Sequence, residues 1–248
     1  MGRINRLFTE ERKIKFTRDF TSSDYGSVFV ECGKTRVLCT VSVSTKIPDW
    51  MKTSNTGWLT AEYGMIPNCS KNRISREKHL SSGRTKEIQR LIGRSLRTVV
   101  DFEKLGPLML NVDCDVIEAD GGTRTTSING AVVALADSFL KMHKRGELEI
   151  TPFKGFIAAI SVGLVEGVPV CDLEYSEDSN ADVDMNVVMN SCGQFIEIQG
   201  TSEKGLFDRD KLNIFLDIAC DSIKRTIEIQ ESLFTAEEID WLLNFVKK

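Results

Sequence analysis

Between Ser27 and Thr45 apolar and polar residues alternate in two runs, SVFVEC and TRVLCTVSVST, on either side of Gly33-Lys34. Alternation of this kind buries one face of a strand, and the short glycine-containing connection predicts a β-hairpin. Residues 46–85 lose that order, being punctuated by Pro48, Gly57, Gly64, Pro67 and Gly83, and read as one long irregular stretch. A loop of such length in a compact domain is functional or disordered. Its part beyond Asn72, with Ser75, His79, Ser81 and Ser82, reads as the most mobile. The period then becomes helical: Ile88, Leu91, Ile92, Ser95, Val99 and Phe102 share one stripe, which predicts a helix over 86–103. A strand is predicted over 108–118 (LMLNVDCDVIE), followed by the loop ADGGTRTTS and a helix over 127–143, SINGAVVALADSFLKMH. That helix is apolar on nearly every side, so it must be buried on most of its surface.

The second half follows a similar plan. KGFIAAISVGLVEGVPVCDL predicts a hairpin turning at Glu166-Gly167, and strands are predicted over 183–190 and 194–199. A helix from about 208 to 228 opens at Asp208, an N-cap residue type, with Leu212, Phe215, Leu216, Ala219 and Ile223 at helical spacing. A last short helix carries the capping-box pair Thr235 and Glu238. The order of elements predicts an α+β fold with a duplicated plan, although no stretch of sequence repeats and no linker divides the chain.

Composition adds limits. The 248 residues are 41% hydrophobic and 27% charged, as in an ordinary globular protein. The seven cysteines include no CxxC pair and mostly sit in apolar runs, so they read as small buried hydrophobes in a reducing compartment. The N-terminal MGRINRLFTEERKIKF has no apolar signal-peptide core, and Arg6 stands where a myristoylation signal wants Ser or Thr. No apolar run approaches the roughly 20 residues of a membrane span. A cytoplasmic protein without a membrane partner is expected.

A net charge of −4 argues against a surface that coats nucleic acid as a whole, yet the charge is unevenly placed. Residues 71–97 hold nine basic residues against two acidic ones. A charge run of this kind is a solvated face or a phosphate-binding surface. Arg90, Arg94 and Arg97, spaced i, i+4, i+7 opposite the apolar stripe, favour the second, because arginine suits phosphate and paired interfaces. From Glu166 to Asp184 the reverse holds: seven carboxylates (Glu166, Asp172, Glu174, Glu177, Asp178, Asp182, Asp184) and no lysine or arginine. Such a stretch is either a solvated loop or a site for a hard cation. Asp182 and Asp184 alternate at strand period, which would put both carboxylates on one face, with Asp178 within reach from the preceding turn. In ADGGTRTTS (119–127), Gly121 and Gly122 permit close backbone approach, Arg124 offers a planar fork, and a helix N-terminus attracts anions. The same residues also suit a plain turn capped by Ser127. His79 and His143 have no partner suited to nucleophilic catalysis and read as ordinary surface residues.

Five ordered blocks closely resemble the bacterial RNase PH family: GSVFVECGKTRVLCTVSV, GWLTAEYGM, GRTKEIQRLIGRSLR, DCDVIEADGGTRT and CDLEYSEDSNADVDMNVVM. The resemblance runs from Gly2-Arg3 to about Ile227. It implies a duplicated two-layer sandwich like the second domain of ribosomal protein S5, forming one catalytic unit. Its two halves would be exoribonuclease domain 1 over about 10–144 and domain 2 over about 155–228. It implies a phosphorolytic 3′-to-5′ exoribonuclease that trims tRNA precursors behind the CCA end and releases nucleoside diphosphates, a reaction that runs backwards when diphosphate is abundant. Processing of rRNA 3′ ends and assembly as a homo-hexamer, a trimer of dimers, are also implied. The family's orthophosphate site falls on Arg84, Gly122, Thr123 and Arg124, and its acidic catalytic, Mg²⁺-binding pair on Asp178 and Asp184, with Arg124 also in the catalytic set. RNA contacts fall on Arg73 and Arg76, to which the charge pattern adds Arg90 and Arg97. Two departures stand out: Asn68 replaces a usual arginine, and the stretch between Arg76 and Gly83 is about two residues short. Both bear on tRNA affinity. A non-catalytic ring subunit of an exosome-like assembly is the alternative; it predicts loss of the acidic pair or of Arg124, and the chain keeps both. A small-molecule kinase would need a Gly/Ser-rich nucleotide loop that the chain lacks.

Overall fold

A computed structural model describes residues 3, 6–22, 25–46 and 56–244, the side chain of Lys78 excepted. Gly2 of the family resemblance, Pro48 with the rest of 47–55, and the end of the last predicted helix beyond Asn244 lie outside the described residues.

Alternation in the first half builds a five-stranded sheet in the order β1-β2-β3-β5-β4. The predicted hairpin is β2 (Ser27–Cys32) and β3 (Thr35–Ser44), joined at Gly33, whose φ of 58° is in the left-handed region. An unpredicted edge strand, β1 (Ile14–Arg18), pairs antiparallel with β2. Its Phe16 is buried while Lys15 stays in solvent, a pattern too short and too charged to stand out. The irregular stretch is a second correction. Trp58–Met65 is β4, parallel to β5 (Met109–Glu118), with Leu59 and Tyr63 in the core. The flanking glycines made it look like loop, but Gly57 serves close packing: a Cβ there would lie 2.7 Å from the Gly106 carbonyl oxygen.

A parallel pair needs a crossover, and the helices of the basic segment supply it. Beyond Asn72 come α1 (Arg76–Leu80), α2 (Gly83–Arg97) and α3 (Phe102–Leu105). The single helix predicted over 86–103 is therefore two. Ser82 caps α2 by accepting from the Thr85 N–H at 3.1 Å, which starts the helix earlier. Asp101 caps α3 through the N–H groups of Glu103 and Lys104, so Phe102 belongs to a new turn.

The second sheet has the order β7-β6-β8-β9 and is antiparallel throughout. Its strands are β6 (Ile157–Val165), β7 (Val168–Cys171), β8 (Val183–Asn190) and β9 (Phe195–Ser202). The central helix α4 (Thr123–Lys144) packs against β2, β3 and β5 of one sheet and β6 of the other. Every residue from Thr125 to Leu140 is buried, which accounts for its apolar sequence. Asn129 fastens it to the second sheet: its amide donates to the Ala159 carbonyl at 3.0 Å and accepts from the Ala159 N–H at 2.7 Å. The outer face of that sheet is covered by α6 (Arg209–Ser232), with Asp208 capping as predicted. The closing helix α7 (Ala236–Leu243) has both halves of its capping box. All seven cysteines are free thiols, five of them buried. Among the described residues no helix is long and apolar enough to cross a membrane.

Candidate active site

The site is built where α4 begins. The helix starts at Thr123, so TRTTS is its first turn rather than a loop, and Gly122 takes the N-cap position with φ 62°. This corrects the reading of Ser127 as the cap; its hydroxyl instead donates to the Thr123 carbonyl. Gly121, at φ 76°, is there because the acidic stretch presses against it: a Cβ would sit 2.4 Å from the Leu173 carbonyl oxygen. Thr35 donates to the Gly121 carbonyl at 2.7 Å, and Arg12 Nη1 donates to the Asp120 carbonyl at 2.5 Å. The double-glycine turn thus starts α4 at the wall of a cavity that Gly122, Thr123 and Arg124 line, and the first N–H groups of a helix, which have no partner within it, suit an anion. Tyr63, from β4, shares a 2.9 Å hydroxyl–hydroxyl bond with Thr123.

The seven acids divide in a way that neither sequence reading offered. Asp172 is buried and receives bonds from Arg12 through the backbone N, Nε and Nη2, each at 2.7 Å, and from Arg6 at 3.2 Å. Burial pushes its carboxyl up, but the Arg12 guanidinium outweighs that and holds it below the ordinary aspartate value. Glu177 pairs with Arg3 at 2.6 Å and closes a capping box with Glu174 around α5 (Tyr175–Asp178). Asp182 lies at the bend just before β8. Its backbone bonds the Leu164 carbonyl and the Glu203 N–H. Of the two carboxylates expected on one face, only that of Asp184 lines the cavity described below.

Glu166 sits in the turn between β6 and β7, with φ 51°. Asp178 and Asp184 remain. Asp178 ends α5, and Asp184 lies in β8 between Gly163 and Thr201 of the neighbouring strands. Both line a cavity of about 310 Å³ together with Arg84 from α2, Gly122, Thr123 and Arg124. Every residue assigned to phosphate, metal or catalysis by the resemblance is therefore brought to one place. Burial first, and then the charge of Asp178, push Asp184 up to about 6, although Arg124 and Arg84 act against the shift. Arg124 Nη1 donates to Gln199 Oε1 at 3.3 Å, and the Gln199 amide donates in turn to Glu87. The cavity opens into a second, more polar lobe of about 600 Å³, and Arg84, Arg124, Asp178 and Asp184 line both.

The RNA-assigned arginines lie outside these lobes. Arg73, Arg76 and Arg90 are exposed. Arg97 is not a free phosphate contact: its guanidinium lies 5.1 Å over the Trp58 ring, and Nη1 donates to the Leu59 carbonyl. Arg94 pairs with Glu197 on β9. The stripe at i, i+4, i+7 is therefore not one open face; part of it fastens α2 to strands. One histidine is corrected, while His143 is exposed as read. His79 is half-buried in the cavity wall beside Thr85, and burial and Arg84 lower its pKa. His143 stacks on Trp241 at 4.3 Å. The sequence reading missed Tyr63, Tyr175 and Asn186 in the cavity wall. Asn186 could have been found, since it alternates with Asp184 on the strand.

A model of the 3′ exoribonuclease family (RNase PH), domain 1, matches residues 10–141, and its domain 2 model matches residues 155–222. The chain belongs to the RNase PH 3′ exoribonuclease family. Its fold is the family's two-domain α+β fold, here two sheets on either side of α4. Solved structures similar to it include rice (Oryza sativa) Rrp46, with a TM-score of 0.73 at 16% identity, covering 92% of this chain and 98% of that one. The Archaeoglobus fulgidus exosome with RNA bound to the active site gives 0.77 at 20% identity, covering 92% and 91%. An archaeal exosome core gives 0.73 at 20% identity, covering 91% and 89%. At these identities the likeness is one of fold.

Proposed function

We propose that the chain is a phosphate-dependent 3′-to-5′ exoribonuclease that trims 3′ extensions of tRNA precursors in the cytoplasm and acts in a homo-hexameric ring. The convergence of two carboxylates and two arginines at the N-terminus of a long buried helix carries this reading. Orthophosphate is held by Arg124, Arg84 and the N–H groups at 122–124, where its charge is stabilised by fixed donors. One of its oxygens attacks the last phosphodiester phosphorus, and the bond from phosphorus to the 3′ oxygen of the preceding nucleotide breaks. That oxygen takes a proton, leaving an RNA one nucleotide shorter and a nucleoside diphosphate. Asp184, pushed up to about 6, is suited to hold the proton that the 3′ oxygen receives. The same exchange in reverse adds nucleotides from diphosphates.

Among the described residues no group of three or more His, Cys, Asp or Glu side chains gathers as a ready-made metal cage. Asp178 and Asp184 alone suit Mg²⁺, which takes one or two carboxylates and completes its shell with water and phosphate. Bound there, it would neutralise charge on the transferring phosphoryl group. The two matched segments act together in this reading, domain 1 giving the arginines and domain 2 the carboxylates. Ribosomal RNA 3′ ends are a second substrate class. Exosome proteins among the similar structures raise the alternative of a ring subunit without catalysis. The assay that separates them uses purified protein, a 3′-extended tRNA and Mg²⁺, with phosphate present or omitted. Phosphate-dependent release of nucleoside diphosphates is expected; monophosphates formed without phosphate would overturn the reading, and RNA binding without product would favour the ring subunit.

Two further results are expected. Arg124→Ala raises the phosphate KM or lowers kcat on any RNA by roughly 10- to 150-fold, since a hydrogen bond to a charged group contributes about 1.5–3 kcal/mol. Arg73→Ala and Arg76→Ala weaken tRNA and reduce its salt dependence by about one unit of slope per contact. A short single-stranded RNA is degraded by these variants almost as before. Equal losses on both substrates would place the segment of Arg73 and Arg76 in the service of the cavity or the ring.

A further inference from the structure

The geometry points to Tyr175 as the platform on which the base of the 3′-terminal nucleotide stacks; this rests on the exoribonuclease reading above. Tyr175 is 60% exposed, yet it lines the 310 Å³ lobe that holds Thr123, Arg124, Asp178 and Asp184. It stands three residues before Asp178 in the single turn of α5, a spacing that puts two side chains on one face about 5–6 Å apart at Cβ. An exposed ring on a loose loop would lose freedom on binding. This one sits on a turn fixed by the Glu174–Glu177 capping box, by Arg3 and Arg6 on Glu177, and by Gly121 packed against Leu173.

The two lobes distribute the substrate. Their shared wall carries the charged groups that suit phosphate, so the terminal base must lie to one side or the other. The larger lobe is walled by Glu87, Gln199, Thr201, Glu203 and Lys204, with no ring, whereas the smaller one has three rings beside the apolar Met65 and Ile88. Of these, Tyr63 is buried and His79 half-buried, and Tyr175 is the exposed one. The smaller lobe's volume is near the lower end of ligand sites, roughly 300–1,000 Å³, as suits a single nucleotide rather than a duplex. An enzyme that removes successive nucleotides must accept every base, and stacking on an aromatic face is sequence-tolerant.

The test measures binding of a short oligoribonucleotide by fluorescence anisotropy without phosphate, and its phosphorolysis with phosphate. Each is done with an intact 3′ nucleotide and with a terminal ribose lacking its base. Tyr175→Ala is expected to weaken binding of the intact oligonucleotide roughly 5- to 150-fold, the range for loss of one stacked base. Tyr175→Phe should recover the affinity, and the phosphate KM should not change in either variant. On the abasic oligonucleotide, Tyr175→Ala and wild type should bind alike. An Ala variant that binds the intact oligonucleotide as wild type does, or that loses equally on both, would overturn the assignment. Wild-type protein that binds RNA but yields no diphosphate would count against the exoribonuclease reading, while the binding comparison would still decide the platform.

Discussion

Asp184→Asn is expected to lower turnover by roughly 10²- to 10⁴-fold, the range for losing a positioned acid or base, with oligoribonucleotide affinity nearly unchanged. The asymmetry follows from position. Asp184 is in the wall between two lobes, beside Asp178 and facing Arg84 and Arg124. The exposed arginines Arg73, Arg76 and Arg90 lie elsewhere. An amide of the same shape keeps the packing of β8 but can neither carry the proton nor hold a cation. Asp182→Asn is the matched control, because Asp182 lines neither lobe and contributes its backbone to the β8 edge. Single-turnover phosphorolysis of an end-labelled oligonucleotide, with anisotropy for binding, reads both. An active Asp184→Asn variant would move the chemistry elsewhere, and equal losses in the two variants would mean that the acidic stretch acts by its net charge.

Arg12→Met is expected to have the largest effect on stability, a loss of about 3 kcal/mol. Arg12 and Asp172 are 8% and 1% exposed, and removing one member leaves the other charge buried without its main partner. The low end of the 3–5 kcal/mol range for such a break applies, since Arg6 and the backbone N–H of residue 12 still reach Asp172. The pH dependence has a definite sign. Asp172 titrates below the ordinary 3.8 when folded, so its contribution is present above that value and fades as the pH falls through the lower folded one. The gap between wild type and Arg12→Met should therefore be full at neutral pH and narrow below about pH 4. Urea unfolding at pH 7 and at pH 3.5 measures this, and a gap that stays constant would show that packing of the Arg12 chain matters more than its charge. The loss should also reach the candidate site, because Arg12 holds the carbonyls of Asp120 and Gly121.

Features set by neighbours in the chain could be read from the sequence. The hairpins turning at Gly33 and Gly167, the cap at Asp208 and the capping box at Thr235 depend on a few consecutive residues, and all are found there. Where one residue type serves two purposes the local reading failed. Gly57 looked like a loop breaker but is small because strand β4 comes close to residues 106–108. Asp101 falls inside the one helix predicted over 86–103 but caps the start of another.

The sequence by itself determined the segments that the proposed chemistry draws on: a glycine pair before an arginine, a basic helix and an acidic stretch, each with its residue types in order. The tertiary structure decided how the charges are used. Arg12 and Asp172 are 160 residues apart and Arg3 and Glu177 are 174 apart, and no local rule pairs them. Once folding buries Asp172 and anchors Glu177, those acids are committed to holding the glycine turn and α5 in place. Asp178 and Asp184 are left facing Arg84 and Arg124 across the N-terminus of α4. Which carboxylates became structural and which were left to line the cavity depended on which arginines the fold brought within about 3 Å, the reach of a charge-assisted hydrogen bond.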